Sequence, residues 1–416
     1  MAHPPIVAVL TTLDSKHQAA RFVCDELTAV GVTPWLVDLS LRPHNHNFAD
    51  VGGASLAEAS GSSWDALGRL SRAEAARTMT MGAIEIVRGQ FKTKGLDGIL
   101  GVGGANGATM ACGVMRAFPL GLPKIMVTPV AATAAVQWYV AESDIAMFPT
   151  IGDISLNRVT RAAMTNAVGA IAGMVGNAGR RPSQAGFGTT RPLIGVSSFG
   201  NTQPAVDRIT SRLESEGFEV IHFHASGPGG RALESLAAQG ELAGVIDLTT
   251  SELTDFITGG VYSAGDHRLS GAGAAGIPQV VVPGCLDFTN WWVGEVPEKY
   301  RQREFIQYNV EIVLMRTNAE EFARLGDLMG ERLADALGPV RVLIPTEGWS
   351  QLAGRPTCDL AGREIGRWSQ PDVDQVFVES LRRHLSNEIV TELPHHINAP
   401  EFADTCVAML IELLAG

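Results

Sequence analysis

The sequence predicts an α/β protein of two Rossmann-like subdomains, each with a mostly parallel sheet wrapped by helices, and a cleft between them. Three observations lead there. The 416 residues exceed the ~250–300 at which one hydrophobic core stops growing. Short, continuously apolar, β-branched runs alternate with longer segments of helical spacing, the pattern of strands buried on both faces. The alternation runs twice, and the Gly-, Pro-, Arg- and Ser-rich stretch NAGRRPSQAGFGTTRP (177–192) separates the two runs.

PIVAVL (5–10), TPWLVDL (33–39), DGILGV (97–102) and PKIMVT (123–128) read as the strands of the first half. HQAARFVCDELTAVG (17–31) has helical spacing and stops at glycine. RPHNHNFADVGGASLAEASGSSWDAL (42–67) is poor in apolar residues and reads as a surface excursion or oligomer contact, followed by helix to about Arg88. A helix around Asn157–Val175 closes the half. The boundaries expected are a subdomain over 1–180, a linker over 181–192 and a second subdomain over 193–416. There PLIGVSSFGNT (192–202), FEVIHFH (218–224), AGVIDLTT (243–250) and GIPQVVVPG (276–284) match the first four strands in outline. Two doubly wound domains of any origin would share this outline, so the match is one of pattern and not of ancestry. EIVLMRTN (311–318), RVLIPTE (341–347) and EIVTELP (388–394) look like further strands, and APEFADTCVAMLIELL (399–414) like a closing amphipathic helix.

Composition narrows the partners. Apolar residues make up 45% and charged residues 18%, which suits a globular chain with large cores. Lys and Arg number 32 against 44 Asp and Glu, a net charge of −12 with no concentrated basic run, so nucleic acid is excluded as a partner. Five scattered cysteines without a CxxC fit buried thiols in a reducing cytoplasm better than disulfides or zinc. No basic n-region opens the chain and no run of about 18 apolar residues follows, so neither a membrane nor export is expected.

In open parallel sheets, ligands sit beyond the carboxyl ends of the strands, where the chain direction switches. The inferred ends hold TTLDSK (11–16), GGANG (103–107), SSFGNT (197–202), SGPGGRA (226–232) and TTSEL (249–253). Glycines let backbone N–H groups converge, and a following helix adds its positive end, so such loops bind phosphate without a cationic patch. Gly103, Gly104 and Gly107 with Asn106 form one candidate, and Gly227, Gly229 and Gly230 with Arg231 a second. Thr12, Ser198, Thr249 and Thr250 would add hydroxyls, Asn201 and Thr202 would line the cleft, and Lys16 and Arg231 would supply cations. Asp14 reads equally as a solvated helix start, and Glu252 equally as a helix-dipole partner or a magnesium contact through water. GVGGANG reads alternatively as tight strand-to-helix packing alone.

Several motifs are absent or incomplete. There is no GxxxxGK[ST], and no acidic residue lies about 20 positions after GVGGANG to hold a ribose. HNH (44–46) and His395–His396 lack zincin spacing, and EGWSQ (347–351) lacks the second glycine of a nucleophile elbow at Ser350.

TTLDSK, GVGGANG with GLPKIMV, GVSSFGNTQPAV, FHASGPGGRALE, DLTTSEL, MRT (315–317) and LPHHINAPEFA together give the chain, over nearly its whole length, a likeness to a known family. It resembles a family of ATP-binding proteins best known from the amino-terminal inhibitor domain of a plant tobamovirus-resistance protein, with many bacterial members. The resemblance implies two Rossmann-like subdomains with ATP between them, and a homodimer. Some relatives carry an additional TIM-barrel domain, so a separate barrel protein is an expected partner. No family catalytic residue carries over. The expectation is therefore binding of ATP with Mg²⁺, the two glycine loops gripping the triphosphate, with phosphoryl or nucleotidyl transfer to a small metabolite as the enzymatic version. The alternatives are a nucleotide-gated interaction module without turnover, and an enzyme for a phosphorylated or carboxylated metabolite that needs no ATP.

Overall fold

The computed structural model describes residues 4–93, 95–177 and 191–416; residues 181–190 of the expected linker lie outside them. The chain divides into two compact units, Met1–Phe187 and Gly188–Gly416.

In the first unit the chain runs β1 (Ile6–Thr11), α1 (Leu13–Ala29), β2 (Thr33–Asp38), α2 (Gly53–Ala59), α3 (Trp64–Leu67) and α4 (Arg72–Thr93). It continues through β3 (Gly98–Val102), α5 (Ala105–Met115), β4 (Lys124–Thr128), α6 (Val136–Val140), β5 (Ala146–Pro149) and α7 (Arg158–Gly176). The strands form a parallel sheet in the order β2-β1-β3-β4-β5. β3 and β4 are buried at every position; β3 is continuously apolar, while β4 opens on a buried Lys124 that pairs with Asp144. Met79, Ala83 and Val87 of α4 pack with Met110 and Ala111 of α5 over one set of strand side chains. Val23 and Leu27 of α1 pack with Met164, Val168 and Ile171 of α7 over the other set.

Most of the segment 42–67 is exposed or half-buried, as its composition suggests, and it reaches the core through α2 and α3. Leu56 and Ala57 are fully buried in the core with Met79 and Ala83. A Cβ on Gly82 would lie 1.8 Å from the Leu56 carbonyl oxygen, and one on Gly53 2.4 Å from the Trp64 ring. Gly53 and Gly82 carry no side chain where α2 meets Trp64 and α4, and that close approach needs both glycines.

The second unit runs β6 (Leu193–Ser198), α8 (Gln203–Ser215), β7 (Glu219–His224), α9 (Pro228–Ala238), β8 (Gly244–Thr249), α10 (Glu252–Thr258), α11 (Gly271–Ala275) and β9 (Gln279–Gly284). Then follow β10 (Phe288–Trp292), β11 (Phe305–Gln307), β12 (Ile312–Arg316), α12 (Ala319–Ala334), β13 (Val340–Pro345), β14 (Pro356–Cys358) and β15 (Glu364–Arg367). α13 (Pro371–Leu381), β16 (Val390–Leu393) and α14 (Pro400–Ala415) end the chain. The parallel sheet has the order β16-β13-β9-β8-β6-β7, so β7-β6-β8-β9 repeats the arrangement β2-β1-β3-β4 of the first unit. α8 and α14 cover one face, and α12 and α13 the other.

β12, which reads in sequence as one more strand of the series, belongs instead to a separate antiparallel sheet, β10-β12-β11-β14-β15. The partners of β12 are three to five residues long, too short to carry an alternation signal of their own.

Candidate functional site

Each parallel sheet reverses its winding beside its first strand, between β1 and β3 in one unit and between β6 and β8 in the other. Ligands of doubly wound sheets bind beyond the carboxyl ends at such points.

In the first unit this end is built by the turns after β1 and β3. α1 breaks at Lys16, with φ −128° and ψ 21°, so residues 12–16 form a turn before the regular helix. The amides that open this turn are taken internally: Leu13 N–H donates to Asp38 Oδ1 at 3.0 Å and Asp14 N–H to Ser40 Oγ at 2.9 Å. Thr12 Oγ1 lies 3.0 Å from Ser15 Oγ. Lys16 Nζ donates to the Ile154 carbonyl at 2.9 Å and faces Asp153 Oδ1 at 3.4 Å. The Ile154 amide and then Lys16 hold the Asp153 carboxyl below its usual range, although its side chain is 79% exposed.

The turn after β3 differs. α5 starts from Gly104 in extended backbone, and no side chain caps its first turn. The N–H groups of Ala105, Asn106 and Gly107 have no intrahelical partner at such a position. Gly103 is required by packing, since a Cβ there would meet the Gly107 Cα at 2.9 Å. A Cβ on Gly104 would meet only Asp153 Oδ1 at 3.9 Å, and one on Gly107 only Thr12 Cγ2 at 4.0 Å. Thr12, Gly104, Gly107, Asp153 and Lys16 therefore share one rim. Beside them the Thr11 hydroxyl is buried without a partner, on the β1 residue that pairs with Asp38 and Val102.

In the second unit the glycine loop follows β7, the counterpart of β2 and not of β3, and its amides are taken by the protein itself. Gly227, at φ 97°, precedes α9, and the N–H groups of Gly227 and Gly230 both donate to Glu252 Oε1, at 2.6 and 3.1 Å. A Cβ on Gly230 would lie 1.9 Å from Glu252 Oε2, and one on Gly229 1.8 Å from the His224 carbonyl oxygen. Glu252 is fully buried, and its other oxygen accepts from Arg268 Nε at 2.7 Å. Arg268 also meets Asp247 at 2.6 Å and Glu234 at 3.0 Å. Burial alone would push the guanidinium toward losing its proton; Asp247, Glu252 and Glu234 outweigh it and hold Arg268 above the ordinary arginine range. The anion cradled by the SGPGGRA loop is thus a side chain of the protein. Glu252, expected as a helix-dipole partner or as a magnesium contact through water, lies in the first turn of α10, takes the amides that open α9 and is closed off from solvent.

The remaining residues of this end lie in the same neighbourhood. Thr202 and Thr249 share a hydrogen bond of 2.8 Å, Thr250 donates to the Val282 carbonyl, and Ser198 reaches the Phe223 carbonyl at 3.4 Å. Asn201 is buried, its carbonyl accepting from Asn398 Nδ2 at 3.0 Å, while its own side-chain N–H₂ has no partner. Arg231 Nη1 lies 3.7 Å from where a Cβ of Gly227 would stand.

Other motifs resolve into scaffolding. Ser350 is buried and donates to Asp287 Oδ2 at 2.7 Å, while His396 Nε2 faces the Ser350 carbonyl at 2.9 Å, so no imidazole addresses the hydroxyl. His44 binds Asp38 at 2.7 Å, and His46 stacks on His17 with centroids 3.8 Å apart. Among the described residues no three His, Cys, Asp or Glu side chains are arranged to hold a metal ion. Burial pushes the Cys112 thiol up to about 12, away from nucleophilic use. No described helix is long and apolar enough to cross a membrane.

Sequence reasoning missed Asp38 and Ser40 in the first unit and Arg268, Asp247 and Glu234 in the second, while Asp153 stood out in WYVAESDIAMFPTIGDI (138–154) as a capping or cleft-lining acid. Asp38 and Asp247 were legible in principle: each is a lone acid inside an apolar strand run, WLVDL and GVIDLT. Arg268 sits in a loop 16 residues from Glu252 with no local pattern to mark it.

Comparison with known proteins follows the same division into two units. A UPF0261 protein of Mesorhizobium japonicum is 37% identical over 410 residues, covering 97% of this chain and 98% of that protein. One from Clostridium tetani is 34% identical over 420 residues, covering 98% of each. The ToMV resistance protein Tm-1(GCR237) of Solanum lycopersicum is 34% identical over 325 residues, 76% of this chain but only 42% of that longer protein. Residues 5–180 match the N-terminal domain, and residues 191–414 the C-terminal domain, of the Uncharacterised protein family (UPF0261), and the chain belongs to that family.

Proposed function

We propose that the first unit binds the polyphosphate tail of a nucleotide, ATP with Mg²⁺, at the carboxyl ends of β1 and β3. One observation carries the reading: the first turn of α5 lies uncapped at the switch point, beside Lys16. Uncapped amides at a helix start favour negative charge, and a lysine adds a point charge to them. The orphaned Thr11 hydroxyl and the open space over Gly104 and Gly107 fit an oxygen-rich ligand.

The residues divide the work. The amides of Ala105, Asn106 and Gly107 would take phosphate oxygens, with the Asn106 side chain and the Thr12 hydroxyl as further partners. Lys16 would exchange its long contact with Asp153, an exposed pair of small worth, for a phosphate. Asp153 would then face the magnesium ion, which keeps its waters and needs only one or two carboxylates besides phosphate. ATP, when bound, supplies a transferable phosphoryl group; this chain's contribution is positioning and charge neutralisation. The SGPGGRA loop is left out of the phosphate site, because Glu252 fills it. The proposal puts the chain in the cytoplasm as a homodimer, with a barrel protein as a separate partner.

Calorimetry tests it. ATP with magnesium and inorganic tripolyphosphate should both bind, and Lys16→Met should weaken each about tenfold, the loss of one charge-assisted contact. No heat with either ligand at about 10 mM, a limit near 3 kcal/mol of binding energy, would end the proposal. Phosphate release during incubation would favour a transferase or hydrolase; a rise in melting temperature without release would favour a nucleotide-gated module.

A further inference from the structure

The antiparallel sheet β10-β12-β11-β14-β15 is apolar on both faces. Phe288, Ile306, Ile312 and Leu314 turn to one side and pack with Phe199 and Trp368. Trp291, Phe305, Val313 and Met315 turn to the other, where they pack with Val296 and Tyr300. An antiparallel sheet with one face on a core ordinarily shows water a polar second face. Here the chain between β10 and β11 covers that face with Val296 and Tyr300, and the cover is incomplete. A cavity of about 440 Å³ remains, lined by Val296, Phe305, Val313 and Leu360. Its origin lies in the strand pairing. β14 meets β11 at the one pair of Cys358 with Phe305, and a bulge between Thr357 and Cys358 shifts the register of β14 on β15, so this part of the sheet closes loosely.

The volume falls within the ~300–1,000 Å³ usual for small-molecule pockets. The polar groups of the lining narrow the ligand. Asp359 accepts from the amides of Ala361 and Arg363 at 3.0 Å and from Arg363 Nε at 2.7 Å, and Gln307 Nε2 donates to the Asn309 carbonyl at 2.7 Å, so both are engaged within the protein. Arg301 is held less firmly. Among the described residues its guanidinium pairs only with Glu298, at 3.1 Å, and the two side chains are 55% and 85% exposed, so the pair is weak and Arg301 can change partner. Two acids, Glu298 beside Arg301 and Asp359 in the lining, oppose a polyanion. An apolar body with a single negative end matches what is left.

We propose that this cavity binds a short acyl carboxylate, its chain against Val296, Phe305, Val313 and Leu360 and its carboxylate on Arg301. The site lies wholly in the second unit, on the antiparallel sheet, and does not rest on the phosphate reading.

Titration calorimetry of the full chain with octanoate, octanol and acetate tests it. Octanoate binds, octanol binds more weakly and acetate does not bind. Arg301→Gln weakens octanoate about tenfold, the loss of one charge-assisted contact, and leaves octanol at the parent value. Leu360→Asp, at a position 45% exposed, weakens octanoate and octanol alike and keeps the parent molar mass in light scattering. Octanoate also slows iodoacetamide modification of Cys358, a half-buried thiol in the cavity lining, in peptide mass spectra. No octanoate binding at about 10 mM, acetate or octanol bound as tightly as octanoate, parental octanoate affinity in Arg301→Gln and Leu360→Asp alike, or unchanged modification of Cys358 would overturn the proposal. A lower molar mass for Leu360→Asp would overturn it in favour of a second copy of the chain on this face.

Discussion

Two loops that look alike in sequence do opposite things. GGANG and SGPGG both follow a strand of a parallel sheet and open a helix. The amides of the second converge on the Glu252 carboxylate and are neutralised inside the protein, while the first turn of α5 faces none. The comparison teaches that a glycine loop reports only that an anion is wanted. Whether that anion is a ligand or a residue is set by which carboxylate the neighbouring elements bring to the loop. In the second unit the start of α10 brings Glu252; in the first, Asp153 after β5 stays exposed and pairs with Lys16 instead.

The largest expected effect breaks the internal arrangement. Arg268→Met leaves Asp247, Glu252 and Glu234 buried without their cation and should cost about 3–5 kcal/mol in denaturant unfolding. A loss under about 1 kcal/mol would mean that the loop of the second unit does not depend on its internal charges.

A pH series sharpens the contrast. Asp255, one turn after Glu252, is fully buried, and burial pushes its carboxyl up from 3.8 to about 7. The folded state then binds a proton more tightly than the unfolded state. This contribution is present in full below about pH 4 and is lost as pH rises toward 7, by roughly 4 kcal/mol at most. Asp255→Asn should flatten that decline, with Asn290 turning its unpartnered Oδ1 toward the new amide. Parallel stability profiles for parent and variant between pH 4 and about 7 would refute the assignment.

Smaller effects separate the loops directly. Gly230→Ala drives a methyl into Glu252 and should cost about 1–3 kcal/mol. Gly104→Ala meets nothing closer than 3.9 Å and should cost about 1 kcal/mol or less. Equal costs from thermal melts would erase the distinction. Smallest of all, Lys16→Met should change stability by under about 1 kcal/mol, since its ion pair is mostly exposed, while still weakening tripolyphosphate.

Much of this fold was legible. Runs such as DGILGV and GVIDLT carry their burial in their composition, because a strand covered on both faces has no polar position to alternate with. The repeat of four strands was visible for the same reason. The short strands β11, β14 and β15 were not, since three or four residues hold no period. In the largely exposed segment 42–67, the glycine contact that brings α2 against α4 was not legible, because glycine marks close helix approach as readily as exposure.

By itself, then, the sequence determined two parallel α/β units, their strand succession and the loops at the carboxyl ends, because local apolar period and glycine placement act over a few residues. Only the tertiary structure decided which loop keeps its amides open. That choice depends on Glu252 meeting Gly227 and Gly230, and on Arg268 meeting three carboxylates drawn from three elements. Charge pairing is fixed by distance in space, and no spacing along the chain records it.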